Sequence, residues 1–228
     1  MERSMKRPKV IFVDAVGTLF GVKGGVGEIY SEIARDFEVE VSSQVLDKAF
    51  TDSFKAATSP IFPDADEKDI PQLEFEWWKD IAAQTFEKAG VIKQFPDFGE
   101  FFSELYIHFG TAEAWFVYPD VIPALINWRR MGIELGVLSN FDSRIYSVLQ
   151  ALELREFFGS VTICSQVGAA KPDPEIFAIA LSKHNCSPQA AWHIGDDVNH
   201  DYEGAKSAGV RGIWINRSNA GQKLKVKS

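Results

Sequence analysis

The sequence predicts an α/β fold, in which a Rossmann-like parallel sheet core carries an inserted α-helical cap domain. Two observations support this expectation. In the second half of the chain, short apolar segments alternate with helical segments, which is typical of a parallel sheet covered on both faces. One further apolar strand lies near the N-terminus, and the segment between it and the later strands shows only helical periodicity. We therefore expect the first strand to join the later ones in a single sheet.

The first predicted strand is Val10–Val13, a continuously apolar run (VIFV) that ends at Asp14. Such a run is typical of a strand buried on both faces of a parallel sheet. The segment at 20–27 (FGVKGGVG) follows and is rich in glycine. Glycine at this density indicates either a hinge into a second domain or a tight turn with positive φ, and the sequence favours neither.

Residues from about 26 to 112 predict four helices. Ser42 or Ser43 is a candidate cap of the second helix, the prolines of SPIFPDAD interrupt the pattern, and Gly90 is a candidate stop signal for the third. The apolar positions at helical spacing are Ile29, Ile33, Ala34 and Phe37; Val45, Leu46, Ala49 and Phe50; Phe75, Trp78, Ile81, Ala82 and Phe86; and Phe98, Phe101, Phe102, Leu105 and Phe109. We expect residues 21–112 to form the cap, and residues 1–20 together with 113–228 to form the core.

Strands and helices alternate after residue 113. Asp173 at the N-cap and Pro174 in the first turn form a strong helix start. The predicted strands are Ile133–Leu138, Val161–Cys164, Ala191–Ile194 and Gly212–Ile215. The predicted helices lie near Pro119–Met131, near Arg144–Leu152, after Asp173, and near Asp201–Ala208.

The composition excludes several classes of protein. The 228 residues carry a net charge of −8 and no concentrated basic patch, so we expect no nucleic-acid partner, and the short run KLKVK at 223–227 is interpreted as a solvated end. The sequence shows neither a secretory signal nor a run of about eighteen apolar residues, so we expect no membrane partner. The two isolated cysteines fit a reducing compartment and form no zinc motif. We expect a cytoplasmic protein that is a monomer or homodimer.

Polar side chains follow the predicted strands in four separate segments. The segments supply Asp14 and Thr18; Ser139 and Asn140; Lys171; and Asp196, Asp197 and Asp201. Ligands of such sheets bind outside the carboxyl ends of the strands, so these side chains should meet at one edge. Crowded carboxylates repel each other, and Mg²⁺, which prefers oxygen ligands, would relieve that repulsion. With a lysine and a hydroxyl to hold a phosphate, the set suits phosphoryl transfer.

The segments DAVGTLF, VLSNFD, AAKPDPEIF and IGDDVNHD resemble, in order, the four motifs of the haloacid dehalogenase-like hydrolases. The resemblance covers residues 9–20 and about 115–216, and the helical segment between them resembles the cap that many members insert after the first strand. Within the superfamily, the chain is similar to the haloacid dehalogenase-like domain-containing protein 3 group. The resemblance implies a Mg²⁺-dependent hydrolase that acts on a small phosphorylated substrate through an aspartyl-phosphate.

The resemblance also implies the ligands of the metal. Asp14 matches the nucleophile, which is at the same time a direct metal ligand. Val16 occupies the position whose backbone carbonyl binds the metal, and Asp196 matches the acidic metal ligand. Asp197 and Asp201 would act through water or would hold the lysine of the third motif.

Four further residues match positions around the transferred phosphate. Thr18 matches a threonine that braces the first motif. Ser139 matches the hydroxyl that binds the phosphate, with the side chain or backbone of Asn140 nearby. Lys171 matches the lysine that pairs with both the nucleophile and the phosphate.

One position departs from the pattern of the family's phosphatases. They carry a second Asp where this chain has Val16, and that Asp protonates the leaving group and later activates water. General acid–base catalysis of this kind is worth about 10²–10⁴ in rate. We therefore expect a weak or specialised phosphatase that prefers good leaving groups, such as aryl or acyl phosphates, unless another group such as His200 supplies the acid.

Three alternatives remain open from the sequence. The first is a non-catalytic or regulatory protein that binds phosphoryl groups. The second is a metal-independent haloacid dehalogenase, whose first motif also lacks the second Asp; its fourth motif lacks a counterpart of Asp196, and its tyrosine would here be Phe177. The third is a phosphonatase, which needs a cap lysine. The candidates for that lysine are Lys23, Lys55, Lys79 and Lys88.

Several conspicuous residues have simpler explanations. His193 lies inside a predicted strand, and we expect a core histidine there rather than a catalytic base. Trp77 and Trp78 point about 100° apart on a helix, so at most one should be central to the core of the cap. We interpret the aromatic residues of the cap as packing residues.

Overall fold

The computed structural model describes residues 7–217, so the basic run at 223–227 lies outside the described residues. The strands are β1 (Val10–Val13), β2 (Phe20–Val22), β3 (Trp115–Val117), β4 (Glu134–Ser139), β5 (Ser160–Ile163), β6 (Ala191–Gly195) and β7 (Arg211–Trp214). The helices are α1 (Val26–Asp36), α2 (Ser43–Ala56), α3 (Ile70–Lys88), α4 (Phe98–His108), α5 (Val121–Arg130), α6 (Ile145–Ala151), α7 (Cys164–Val167), α8 (Pro174–Lys183) and α9 (Gly204–Ser207), with a π-helix at Val198–Glu203 before α9.

Five strands form one parallel sheet in the order β5–β4–β1–β6–β7, which confirms the predicted α/β core. All four residues of β1 are buried, as expected for the central strand. Ile11 and Val13 belong to the larger apolar cluster, which continues into the helices of the 26–112 segment. Val10 and Phe12 belong to a second cluster on the other face, with residues of α8.

The pairing of β2 with β3, outside the five-stranded sheet, was not predicted. β2 and β3 pair antiparallel, and they lie at the two ends of the segment that contains α1 to α4. Strands of three residues are too short to show an alternating pattern. Gly24 and Gly25 have φ values of 67° and 113°, so this segment does use glycine for positive φ, while its use as a hinge stays a prediction.

Two predicted elements differ from the structure. Cys164 begins the short helix α7 instead of ending a strand. The single helix expected near Asp201–Ala208 is a π-helix, Val198–Glu203, followed by α9. The π-helix begins earlier than expected because the Asp197 carboxylate accepts hydrogen bonds from the backbone N–H groups of Asn199 and His200. Helical turns of the π type occur frequently at functional sites.

The four helices between β2 and β3 pack around an aromatic cluster. Phe86 of α3 is fully buried and lies at its centre. Its ring contacts those of Tyr30, Phe95 and Phe101 at centroid distances of 5.9, 5.0 and 5.0 Å. The packing interpretation of the aromatic residues therefore holds for this part of the cap.

The part of the chain that the structure describes contains no helix with the length and apolar character needed to cross a membrane. Its two cysteines, Cys164 and Cys186, are free thiols.

Replacing Phe86 by alanine should lower the free energy of unfolding by about 3–5 kcal/mol, because it removes a fully buried ring from a well-packed cluster. Urea unfolding followed by circular dichroism measures the change. The control is Ile107→Ala on α4, whose side chain is 66% exposed and which should change stability by less than about 0.5 kcal/mol. Equal effects of the two substitutions would contradict the aromatic cluster as the core of these helices.

Candidate active site

The register of the sheet brings three polar residues together. Val13 of β1 lies opposite Val137 of β4 on one side and Ile194 of β6 on the other. Asp14 follows Val13 directly in the sequence. Ser139 lies two residues after Val137, and Asp196 lies two residues after Ile194. Because the strands are parallel, the three side chains are placed at the same edge of the sheet.

Lys171 forms the electrostatic centre of this edge. Its Nζ donates hydrogen bonds to Asp14 Oδ1 and to Asp201 Oδ1, both at 2.6 Å, and all three residues are buried. Asn140 fixes the lysine backbone: its Nδ2 donates to the Lys171 carbonyl at 2.9 Å, and its Oδ1 accepts from the Lys171 N–H at 2.8 Å. The structure thus engages the Asn140 amide in positioning Lys171, and a role of Asn140 near the phosphate stays a prediction.

Asp201 is held by two more groups besides the lysine. His193 lies 2.8 Å away through its Nε2 and is fully buried within β6, where its ring meets the edge of Phe177. The backbone N–H of Asp197 donates to the second oxygen of Asp201 at 3.0 Å. His193 is thus a core histidine that orients Asp201. The Asp197 carboxylate caps the π-helix and makes no hydrogen bond to Lys171.

Asp196 approaches Asp14 because the loop after β1 contains a glycine. Gly17 has a φ of 83°, and a Cβ atom there would lie 2.2 Å from Asp196 Oδ2. Thr18 Oγ1 lies 3.4 Å from both Asp14 Oδ2 and Asp196 Oδ1, and the indole of Trp214 donates to the Asp196 carbonyl at 2.8 Å. Across residues 7–217, no ion pair includes Asp196.

The pKa values reflect the crowding of carboxylates. Burial raises the pKa of Asp14, and the nearby Asp201 adds to the rise, although Lys171 opposes it. Burial, together with Asp14 and Asp201, raises the pKa of Asp196 to about 7. Asp201 behaves differently: burial acts to raise its pKa, but Lys171 and His193 outweigh burial and lower it. Burial alone would lower the pKa of Lys171, yet its two carboxylate partners raise it.

The donor set fits a hard divalent cation. Carboxylate oxygens of Asp14, Asp196 and Asp201 lie within 4.8 Å of one another. Asp201 is already engaged with Lys171 and His193, which leaves Asp14 Oδ2 and the Asp196 carboxylate as the available ligands. Val16 lines the same cavity. Oxygen ligands of this kind, with room for water, are what Mg²⁺ prefers.

The remaining predicted residues lie around a cavity of about 360 Å³. Ser139 is buried and lines this cavity, and His200 lies at its exposed side, with Nδ1 3.2 Å from Asp197 Oδ1. None of the four lysines considered for a Schiff base lines it. Phe177 packs beneath the sheet and does not line it either.

Helix α3 fastens the helical segment to the core beside this cavity. Glu74, fully buried, accepts hydrogen bonds from the Ser143 N–H at 3.0 Å, from the Ser143 hydroxyl, and from the Ser165 hydroxyl at 2.5 Å. Burial raises the pKa of Glu74, against the opposing effect of these donors. Because its carboxylate accepts all three hydrogen bonds, Glu74 holds α3 against the loop after β4, which contains Ser143, and against α7, which contains Ser165.

A second set of contacts follows one turn later on α3. The indole of Trp78 donates to Asp142 Oδ2 at 2.7 Å. Asp142 also binds Arg144 through Nε at 2.8 Å and Nη2 at 2.7 Å, while Arg144 Nη1 donates to the Tyr106 carbonyl. The guanidinium lies 3.8 Å from the centroid of the Tyr106 ring. These contacts were not predicted: Asp142 and Arg144 follow Asn140 closely in the sequence, but their partners on α3 and α4 carry no sequence signal.

Comparisons with known proteins identify the family of this chain and several relatives. The family model described as haloacid dehalogenase-like hydrolase matches residues 8–209. Haloacid dehalogenase-like hydrolase domain-containing protein 3 of Bos taurus is 33% identical over 202 residues, which cover 89% of this chain and 79% of the relative. Glyceraldehyde 3-phosphate phosphatase of Methanopyrus kandleri is 38% identical over 101 residues, or 44% of this chain and 43% of that protein.

The fold also resembles solved structures. The L-2-haloacid dehalogenase RSc1362 superposes with a TM-score of 0.67 and covers 96% of this chain and 90% of that one. It is 18% identical in sequence, so the likeness concerns the fold.

Replacing Asp196 by asparagine should stabilise the metal-free protein at pH 8 but not at pH 4. The pKa of Asp196 is about 7 in the folded protein, against an ordinary value of 3.8, so its charge destabilises the fold as the pH rises through this interval. Thermal unfolding in EDTA between pH 4 and pH 8 measures the difference in Tm from the unmodified protein. Asp69→Asn, at an exposed position, is the control and should give a difference that stays flat with pH. A flat difference for Asp196→Asn would contradict the crowding of the three carboxylates.

Proposed function

The chain belongs to the haloacid dehalogenase-like hydrolase family, and we propose that it is a phosphohydrolase that acts through an aspartyl-phosphate on Asp14. The observation that carries the proposal is the position of Asp14. Lys171 occupies its Oδ1, while its Oδ2 faces the unpaired Asp196 at the edge of a cavity. The carboxylate of Asp14 is thus oriented by a cation, beside Asp196 and at the wall of the cavity in which a substrate would lie.

The proposed reaction has two steps. An oxygen of Asp14 forms a bond to phosphorus, the bond between phosphorus and the leaving oxygen breaks, and that oxygen takes a proton from water. Water then attacks the aspartyl-phosphate, which releases inorganic phosphate and restores the carboxylate. Lys171 and the hydroxyl of Ser139 would hold the oxygens of the transferred group, and Thr18 would brace the loop of the nucleophile.

We propose Mg²⁺ as the cofactor, held by the side chains of Asp14 and Asp196 and by the backbone carbonyl of Val16. When bound, it would neutralise charge that the transferred phosphoryl group adds to the site. The need for it follows from the charges present. Lys171 faces both Asp14 and Asp201, which leaves Asp196 without a cationic partner among the residues that the structure describes.

The division into a core (residues 1–20 and 113–228) and a cap (residues 21–112) is part of the same proposal. The cap would cover the substrate and keep bulk water from Asp14 during the first step, while a single water molecule protonates the leaving oxygen. The contacts of Glu74 and Trp78 with the core support such a covering position, because they hold α3 beside the cavity.

Two of the alternatives find little support in the geometry. A dehalogenase needs no metal, whereas Asp196 stands beside Asp14 without a cation, and Phe177 lies outside the cavity in which the dehalogenase tyrosine would act. A phosphonatase needs a lysine in the cavity, and none of its candidates lines it. The non-catalytic alternative differs from the proposal in one measurable property, which is modification of Asp14.

Asp14→Asn should abolish phosphate release while leaving the fold intact, because an amide cannot form the acyl-phosphate. The assay follows Mg²⁺-dependent release from a panel of aryl, acyl, sugar and nucleotide phosphates, with EDTA as a second control. Asp69→Asn makes the same chemical change at an exposed position and should retain full activity. Turnover by the Asp14→Asn protein would refute the mechanism. Failure of the unmodified protein to release phosphate from any compound would favour the non-catalytic alternative.

Val16→Asp should raise the rate with alkyl phosphates by about 10²–10⁴, because it supplies the general acid that the site lacks. The matched control is Val16→Asn, which has nearly the same shape but cannot donate a carboxylic proton. The rate at which acetyl phosphate phosphorylates Asp14 should change much less, since the leaving group of that step needs no proton. If both variants have the same rate with alkyl phosphates, another group already serves as the acid, and His200 is the first candidate.

A further inference from the structure

The cavity beside Asp14 is walled by aromatic rings of the cap. Phe54 lies between Phe50 and Trp78 in a continuous stack, with centroid distances of 5.6 and 5.8 Å and interplanar angles of 19° and 18°. All three rings line the cavity. Phe54 keeps 44% of its surface exposed although it is stacked on both neighbours. The stack therefore lines the cavity with a continuous apolar surface that an aromatic ligand could contact.

Among the described residues that line the cavity, no basic side chain is left without an acidic partner for a second anionic group; His200 lies 3.2 Å from Asp197 through its Nδ1. Arg144 lines it, but three of its nitrogens are engaged by Asp142 and by the Tyr106 carbonyl. Lys171 is engaged by Asp14 and by a second buried carboxylate.

The other groups that face the cavity would not attract an anion either. The carboxylate of Asp197 lies on its wall and would repel a second phosphate or a carboxylate. Burial raises the pKa of Tyr30 and of Tyr106, so both phenols remain neutral. The part of the ligand that lies beyond the phosphoryl group is therefore expected to be uncharged.

The chemistry at position 16 points in the same direction. Val16 cannot protonate a leaving oxygen, so the leaving group must carry its negative charge until water supplies a proton. A phenolate bears that charge far better than an alkoxide does. A cavity of about 360 Å³ has room for the phosphoryl group and one or two fused rings.

We propose that the substrate is a phosphate monoester of a flat, uncharged phenol, whose ring lies against Phe54 and Trp78. This inference rests on the proposed phosphohydrolase function. The family resemblance implies only a small phosphorylated substrate, whereas the aromatic rings and the charges around this cavity indicate which leaving group that substrate carries.

Kinetics with four compounds test the inference. Acetyl phosphate measures the reaction without a ring. Phenyl phosphate and 2-naphthyl phosphate have similar leaving groups but differ in apolar area, and the larger ring should raise kcat/KM by about tenfold. In 4-carboxyphenyl phosphate the added carboxylate makes the phenol a better leaving group, yet kcat/KM should fall at least about tenfold below that of phenyl phosphate, because the cavity holds no free cation.

Variants of the stack provide the second readout. Phe54→Ala should lower the ratio of kcat/KM for 2-naphthyl phosphate to that for acetyl phosphate by about tenfold, mainly through a higher KM. Phe54→Leu keeps an apolar side chain but removes the ring, and should give an intermediate ratio. Ile107→Ala, at an exposed site of α4 outside the cavity, should leave the ratio unchanged. Circular dichroism confirms that each variant is folded.

The results that would contradict the aryl substrate differ from those that would contradict the phosphohydrolase function. If acetyl phosphate is hydrolysed but the naphthyl compound is no better than the phenyl one, the inference is wrong and the phosphohydrolase function stands. The same holds if the carboxyphenyl compound is the better substrate, or if Phe54→Ala leaves the ratio unchanged. If no phosphate is released from acetyl phosphate or from any aryl phosphate in Mg²⁺, the proposed function itself is refuted.

Discussion

The ammonium group of Lys171 lies between Asp14 and Asp201, 2.6 Å from each, in a part of the core where no charge could remain unpaired. Much of the site follows from this pair of contacts. Lys171 lowers the pKa of Asp201, which keeps it ionised, and orients one oxygen of Asp14. One lysine does not balance the carboxylates that meet here. Burial and this excess of negative charge raise the pKa of Asp196 to about 7, and the excess is the reason why we propose a cation at this edge of the sheet.

The sheet, and the residues at its edge, could be predicted because their signals are local. An apolar run that ends in a polar residue marks the end of a strand, and parallel register then carries Asp14, Ser139 and Asp196 to the same edge. Contacts between distant segments gave no such signal. Glu74 lies 69 positions from Ser143 and 91 from Ser165, and it looks like any glutamate on an amphipathic helix. The strands β2 and β3 were not predicted because three residues are too few to show the alternation of apolar and polar side chains. The early start of the π-helix was not predicted because Asp197, which caps it, was interpreted as a residue of the site.

The contacts of α3 give the cap a fixed relation to the chemistry. Glu74 and Trp78 are one turn apart, and both reach the loop that follows β4. That loop begins just after Ser139 and Asn140, so the segment that positions Lys171 also anchors the cap. A buried carboxylate with three donors is costly to separate from them, since each donor left without a partner loses free energy. The rings of the cap are thus held over Asp14 by polar contacts that lie outside the aromatic cluster itself.

Val16 changes what such a cap has to do. Where an enzyme supplies a general acid, the leaving group can be a poor one, and the cap can select it by polar contacts. Without that acid, the reaction itself selects for leaving groups that are stable as anions, and polar recognition becomes less necessary. An apolar cavity then has two uses: it holds a ring, and it excludes the water that would weaken the attraction between Lys171 and the transferred group. The aromatic wall and the valine are therefore consistent parts of one site, and neither requires that the site has lost its function.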